Sequence, residues 1–205
     1  AVSKVVSQQV ALGRFRDVRR IYKVAGRLFL LTGTVGVVLM LLLAYTYAVL
    51  SKNMDALPAI IAIAPSIFFC CVMSTYRGYY NGLRNMTPTA MSEIWEAVGK
   101  VIIGLVCAWA TMRYGQARLA AGLPIFGQTA ATEAEALSVL YPYAAAAAAL
   151  GVTGGTVVGM LYMMIRHRVR GDALTRTELV NSPKPIAGTA IAKTPMAIAI
   201  PVLAS

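Results

Sequence analysis

Long apolar runs dominate the chain, and polar segments separate them. Residues 28–50, 58–76 and 137–165 contain no charged side chain. A run of about 20 apolar residues spans the hydrocarbon core of a bilayer as a helix. The pattern therefore predicts transmembrane helices at these three positions and a fourth, with polar residues on it, at 88–113. A last apolar stretch at 186–205 predicts the start of a further span.

The polar segments predict how the spans are connected. Residues 1–27 are basic and amphipathic, and we expect them to lie on the membrane surface and to run into the first span. Residues 114–136 contain several glycines and a proline, which predicts an external loop. Residues 166–185 form a polar, basic connector before the last apolar stretch. The predicted fold class is an all-α, polytopic transmembrane helical bundle with four full spans and the start of a fifth.

The composition agrees with an integral membrane protein. The chain is 58% hydrophobic and 13% charged, whereas a soluble domain is about 25% charged. Mean hydropathy is +0.66. The N-terminal region lacks the early apolar core of a signal peptide. Because the chain starts without a methionine and ends within a predicted helix, we expect it to be an internal fragment of a larger membrane protein.

The net charge of +11 is distributed unevenly. Fourteen lysines and arginines fall before the first span, between the second and third, or after the fourth, while three fall in the other two connections or at their edge. This is the positive-inside pattern. It predicts that the N-terminus, the loop 77–88 and the connector 166–185 are cytoplasmic. Such a surface attracts anionic membrane lipids, so we do not expect a nucleic-acid partner.

The predicted third span carries a polar stripe of Glu93, Glu96 and Lys100. At 100° per residue, the three lie within about 60° of one helix face. A charge inside a bilayer costs roughly 2.5–3.5 kcal/mol. Glu96 and Lys100 have the i, i+4 spacing and order that favour an ion pair. Two interpretations stay open: a structural ion pair between packed helices, or a stripe lining a water-filled cavity that meets a charged substrate or coupling ion.

Arg77 and Arg84 fall in the basic loop before this span. They either determine topology or contact the phosphate of an anionic lipid-linked substrate, which suits a guanidinium fork. Gly78 and Gly82 suggest a tight turn between them, and Thr87 is the expected N-cap of the helix that follows.

Other small residues predict structural features. Gly151, Gly155 and Gly159 form a small-xxx-small pattern that lets another helix approach closely. Pro65 lies inside the second predicted span and should kink it.

The sequence contains no group of residues that supports catalysis, a metal site or cofactor binding. Asp17, Asp55 and Asp172 are isolated in the sequence, and Glu93 and Glu96 are paired with a lysine. A P-loop, a dinucleotide fingerprint and a nucleophile beside a histidine are all missing. We therefore expect a protein that is not an enzyme.

One stretch resembles a known family. Residues 77–82 are RGYYNG, residues 85–90 are NMTPTA, and the next helix carries Glu96 and Lys100. This pattern is similar to the polysaccharide-transport branch of the multidrug/oligosaccharidyl-lipid/polysaccharide (MOP) flippase superfamily, with its stage V sporulation protein B and MurJ-like lipid II flippases. The resemblance covers nearly the whole chain as roughly the third to sixth helices of a 12–14 helix transporter, plus the start of the seventh. The family's first two helices and their arginines are missing, and Lys100 stands where the family commonly has arginine.

The resemblance implies a membrane transporter that flips a lipid-linked saccharide, such as lipid II or a polysaccharide precursor, to the outer leaflet by alternating access. It implies that Arg77 and Arg84 attract the pyrophosphate, that Glu93, Glu96 and Lys100 line or gate the cavity, and that the remaining helices of the parent transporter are partners. Two alternatives remain: a drug/cation antiporter of the same superfamily, and a non-transporting membrane scaffold.

Overall fold

Helices form the regular structure of the chain. The computed structural model describes residues 2–52, 54–124, 126, 133–171, 174, 179–180 and 182–183, and no strand forms among them. A short 3₁₀ turn at Met54–Ala56 precedes the third α-helix. The α-helices in chain order are α1 (Val2–Ala11), α2 (Phe15–Leu50), α3 (Leu57–Gly82), α4 (Thr87–Ala120) and α5 (Glu133–Arg170).

Within the described part of the chain, four helices are long and apolar enough to cross a membrane. They are α2, α3 with its preceding 3₁₀ turn, α4, and the part of α5 from Leu137. The all-α, polytopic transmembrane class predicted from the sequence is confirmed. α2 has 36 residues, about 54 Å at 1.5 Å per residue, which exceeds the roughly 30 Å hydrocarbon core. The helices therefore extend past the apolar runs.

These extensions shift the boundaries expected from hydropathy. α4 continues to Ala120 and α5 starts at Glu133, so the segment predicted as an external loop is partly helical. α5 continues to Arg170, into the predicted connector. The apolar stretch at 186–205, expected to start a further span, lies outside the described residues.

The N-terminal amphipathic segment forms α1 and the first turns of α2. The break falls at Gly13, whose φ of +66° is in the left-handed region that suits glycine. Val2, Val5 and Val6 of α1 are buried in a cluster with residues of α2 and α3. The apolar face of α1 therefore packs against protein, and the position of residues 1–27 at the membrane surface stays a prediction.

Two compact units divide the chain. The first consists of Ala1–Thr34, Cys70–Glu93 and Met160–Ser205; the second consists of Val35–Phe69 and Ile94–Gly159. Each of α2 to α5 contributes a segment to both units. The candidate residues are divided as well: Arg77, Arg84 and Glu93 belong to the first unit, and Glu96 and Lys100 belong to the second.

Pro65 lies inside α3. A proline has no N–H to donate to the carbonyl four residues earlier, which here belongs to Ile61. The adjacent carbonyl, of Ala62, accepts a hydrogen bond of 2.6 Å from the Thr153 hydroxyl on α5. This bond joins α5 to α3 one residue after the freed carbonyl, and it does not replace the helical bond that Pro65 removes.

Candidate functional site

Arg77 is held where α3 and α4 meet. Its Nε donates a hydrogen bond of 3.1 Å to the Ser92 hydroxyl. Ser92 is completely buried, and its hydroxyl donates to the Thr89 carbonyl at 2.7 Å. Because its proton is directed at the Thr89 carbonyl, the Ser92 oxygen is available to accept the hydrogen bond from the Arg77 guanidinium. The Arg77 side chain is only 21% exposed, so it is ordered rather than a freely solvated surface charge.

Glu93 also lies near this arginine. The Arg77 Nη1 and Glu93 Oε1 atoms are 3.9 Å apart, and the Glu93 side chain is 61% exposed. A long ion pair with a solvated carboxylate contributes little. The structure therefore brings Arg77 and Glu93 together, while the buried Ser92 hydroxyl provides the more specific contact.

The glycines of the RGYYNG motif do not form a turn, contrary to the prediction. α3 continues through Gly82. A Cβ at Gly82 would collide with Val6 of α1, and one at Gly78 would lie 3.1 Å from the Cβ of Val2. The two glycines are spaced i, i+4 and form the flat face of α3 on which α1 packs. Their role is close helix approach.

Arg84 occupies an unusual backbone position just past the end of α3. Its φ is +59°. Its N–H donates to the Asn81 carbonyl, and the N–H of Asn85 donates to the Tyr80 carbonyl, at 3.1 and 3.0 Å. These two bonds define a Schellman motif with Arg84 at the C′ position, which is usually glycine. Arg84 is exposed, so the motif presents the guanidinium to its surroundings.

Gly13 and Gly122 occupy the same position at the ends of α1 and α4. Each has a positive φ and the same pair of backbone hydrogen bonds. A left-handed conformation costs a non-glycine residue roughly 1–2 kcal/mol. Of these three C′ positions, two hold glycine, and the one before α4 holds Arg84.

Glu96 and Lys100 form the ion pair that their spacing predicts. Lys100 Nζ lies 2.6 Å from Glu96 Oε1, and the side chains are 39% and 14% exposed respectively. A half-exposed ammonium and a largely buried carboxylate are compatible with the edge of a cavity and with a helix interface. Both interpretations given by the sequence are therefore still open.

The same segment of α4 packs closely against α5. Gly99 and Gly104 of α4 face Gly155 and Gly151 of α5, respectively. A Cβ at Gly151 would overlap Gly104, and one at Gly155 would overlap Lys100 Cγ. The small-xxx-small face thus allows close approach at Gly151 and Gly155, as predicted, and this contact fixes the backbone that carries the ion pair.

A tyrosine–histidine cluster was missed by the sequence reasoning. The Tyr80 hydroxyl lies 3.1 Å from His167 Nδ1 and donates to the Gly171 carbonyl at 3.0 Å. The ring centroids of Tyr22 and Tyr76 are 5.2 and 5.5 Å from that of His167.

A signal for this cluster was present in the sequence. Tyr76, Tyr79 and Tyr80 have i, i+3, i+4 spacing, which places three aromatic rings on one face of α3. The partner His167 is far away in sequence, so its role could not be inferred from local spacing.

Comparisons with known proteins identify a family and two distant relatives. The polysaccharide biosynthesis protein family matches residues 6–143, a range that contains all five candidate residues. Stage V sporulation protein B of Bacillus subtilis (strain 168) is 24% identical over 188 residues, covering 90% of this chain and 31% of that protein. Lipid II flippase MurJ of the same organism is 26% identical over 171 residues, covering 79% of this chain and 28% of that protein. The chain thus spans about a third of the length of these relatives. No solved structure matches it significantly.

Proposed function

The chain belongs to the polysaccharide biosynthesis protein family, and from this premise we propose that it acts within a multi-pass transporter of the bacterial plasma membrane. The transporter moves a lipid-linked pyrophosphoryl saccharide from the cytoplasmic to the outer leaflet by alternating access. One relative is a lipid II flippase by name, which supports a lipid-linked saccharide as the substrate class. The proposed activity belongs to the full transporter.

The charge distribution supports an orientation for this proposal. Arg77 and Arg84 lie at or next to the end of α3 that the positive-inside rule assigns to the cytoplasm. Lipid-linked saccharide precursors carry a diphosphate, and arginine is suited to bind phosphate with two parallel hydrogen bonds. The N-terminus of the chain is cytoplasmic in the same orientation.

The two arginines have different roles in the proposal. Arg84 is exposed and held past the helix end by the Schellman motif, so it makes the first contact with the diphosphate. Arg77 is anchored by Ser92 through Nε, which holds its guanidinium where α3 and α4 meet, and we assign it the second contact with the diphosphate. Glu93, at 61% exposure, keeps the arginine oriented until the substrate arrives.

The observation that carries the proposal is the Glu96–Lys100 ion pair within a helix apolar enough to span a membrane. Intramembrane charges are costly and mark substrate or ion pathways. Lys100 is the half-exposed member of the pair and provides the positive charge that meets the substrate, while Glu96 neutralises it in the empty state. The scaffold alternative has support too, because Lys100 Cγ lies against the position of Gly155, as in a packed interface.

A transport assay separates the two functions. The full-length protein is reconstituted in liposomes, and translocation of a fluorescent lipid-linked saccharide is measured for Lys100→Met, Glu96→Leu and the double variant. We expect Lys100→Met and the double variant to lose most of their translocation, because the substrate loses its positive contact. We expect a similar loss for Glu96→Leu, because it leaves the Lys100 charge unpaired in the empty state. Arg113→Met is the matched control, since it removes one positive charge from the same helix and lies outside the proposed site.

The double variant provides the decisive result. It removes both charges and leaves neither one unpaired, so a purely structural pair would be replaced without a folding defect. Wild-type translocation by the double variant would refute the cavity role and favour the scaffold. Loss of translocation at unchanged thermal stability, together with normal transport by Arg113→Met, would support the proposed function.

A further inference from the structure

An apolar groove with two arginines lies between the first turns of α4 and the last turns of α5. Its volume is about 530 Å³, within the range of ligand sites. Met91 of α4 and Tyr162, Ile165 and Val169 of α5 provide its apolar lining. Ile165 is 60% and Val169 77% exposed, so these side chains are available to a ligand.

Two arginines complete the groove. Arg166 and Arg170 both line it, and their i, i+4 spacing places them on the same face of α5. Arg166 also lies over the Tyr80 ring, with its Cζ 5.8 Å from the ring centroid. Tyr80 is buried, so this cation–π contact holds the guanidinium in place while its N–H edge remains able to bind an oxyanion.

The position of the groove along the chain indicates its occupant. The uncharged run of α5 ends at Ile165, and Arg166 follows immediately. Arginines at the end of an apolar span lie at the depth of the lipid phosphates, and the apolar residues before them lie at the depth of the acyl chains. The groove therefore spans the depth at which a lipid headgroup joins its acyl chains.

We propose that this groove binds an anionic glycerophospholipid, with its phosphate on Arg166 and Arg170 and an acyl chain along Met91, Tyr162 and Ile165. The site differs from the Arg77, Arg84 and Lys100 residues of the proposed transport pathway, and it does not depend on that function. Bound lipid ties the start of α4 to the end of α5. It thereby stabilises the first unit in membranes rich in anionic lipid.

Native mass spectrometry of the purified full-length protein tests the proposal. Phosphatidylglycerol and phosphatidylcholine with identical acyl chains are titrated separately. Each lysine or arginine near an anionic headgroup is worth about a fivefold change in affinity. We therefore expect preferential binding of phosphatidylglycerol by the wild type, with a loss of about fivefold for Arg170→Gln and a larger loss for Arg166→Gln combined with Arg170→Gln.

The chain offers a matched control for charge. Arg168 lies about 200° around the helix from both groove arginines and does not line the groove. Arg168→Gln removes the same charge and should change the affinity less than twofold. Equal losses for Arg168→Gln and Arg170→Gln would overturn the proposal, because they would indicate diffuse attraction to a basic surface.

A second pair of variants tests the acyl-chain part without a change in charge. Ile165→Trp fills the groove and should weaken binding of both phospholipids. Leu161 is exposed one turn earlier and does not line the groove, so Leu161→Trp should leave binding unchanged. If Arg166→Gln lowers stability because the contact with Tyr80 is lost, the single variant Arg170→Gln still tests the phosphate site. Unchanged binding by Ile165→Trp, or complete displacement of phosphatidylglycerol by one equivalent of a polyprenyl diphosphate, would overturn the assignment to a bilayer phospholipid.

Discussion

Gly155 on α5 lies directly against Lys100 on α4. A Cβ at residue 155 would overlap the Cγ atom of Lys100 and would lie 2.7 Å from the Glu96 carbonyl oxygen. The backbone that carries the Glu96–Lys100 ion pair is therefore in contact with a glycine of the neighbouring helix. In a bilayer, where helices gain no hydrophobic energy by associating, such close contact is a main source of association.

Gly155→Ala should separate the two helices in this region. The colliding atoms belong mainly to backbone, which cannot rotate away, so we expect a loss of about 1–3 kcal/mol in the free energy of unfolding. Thermal unfolding in detergent, followed by circular dichroism, measures this loss. The ion pair should also loosen, and this would appear as reduced translocation in the full-length protein.

Gly154→Ala provides the control for Gly155→Ala. A Cβ at Gly154 would lie 2.8 Å from Ile103 Cδ1, the end of a flexible side chain that can move aside. The same chemical change one residue away should therefore cost less. Equal unfolding temperatures for the two variants would contradict a backbone contact at Gly155.

Arg84→Gly is expected to stabilise the fold. Arg84 has a φ of +59°, and glycine adopts this conformation without the Cβ clash. The free energy of unfolding should rise by about 1 kcal/mol, although the greater freedom of glycine in the unfolded chain offsets part of the gain. The same variant should weaken binding of a diphosphate lipid, because it removes the exposed guanidinium of the proposed entrance.

Gly122→Ala is the converse of this change. Gly122 has a φ of +65° and no atom within 4 Å of an added Cβ, so only backbone strain changes, and a loss of about 1 kcal/mol is expected. If Arg84→Gly and Gly122→Ala both lowered the free energy of unfolding, the Arg84 side chain would contribute more to stability than its left-handed backbone conformation costs.

Arg77 should be energetically coupled to Ser92 more than to Glu93. Hydrogen bonds to charged groups contribute roughly 1.5–3 kcal/mol, and the Ser92 hydroxyl is buried. Glu93 is 61% exposed at 3.9 Å, and solvent screening reduces such a pair to well under about 1 kcal/mol. Double-mutant cycles with Arg77→Gln against Ser92→Ala and Glu93→Gln measure both couplings. A larger coupling to Glu93 would contradict the assignment of Ser92 as the anchor.

The bilayer explains why much of the fold was predictable. Apolar runs of bilayer length are a property of the sequence alone, so the four spans could be located. The helices extend past the predicted spans, because hydropathy follows the edge of the membrane whereas helical hydrogen bonds continue past it, as in α4 to Ala120. The Glu96–Lys100 pair was predictable for a similar reason, since its spacing is local.

The rest of the candidate site depended on tertiary contacts. Glycine favours both turns and close helix contacts, and only the position of Val6 and Val2 decides which applies at Gly82 and Gly78. The Ser92 anchor of Arg77 lies across the break between α3 and α4, so no spacing rule applies to it. Whether these residues bind substrate stays a prediction.

The hydrogen bond from Thr153 to Ala62 should be worth more than an intrahelical one in the same helix. The Thr153 hydroxyl donates a hydrogen bond of 2.6 Å to the Ala62 carbonyl of α3, next to the carbonyl that Pro65 leaves without its helical donor. The Thr156 hydroxyl donates a hydrogen bond of 2.8 Å to the Val152 carbonyl of its own helix. Thr153→Val removes the hydroxyl and keeps the shape, and a loss of about 0.6–1.7 kcal/mol is expected, as for interhelical bonds in membranes. Thr156→Val loses only a local bond, so its unfolding temperature in detergent should stay closer to that of the wild type. A Thr156→Val variant as unstable as Thr153→Val would show that the contact with α3 adds nothing to the stability of the proline-containing helix.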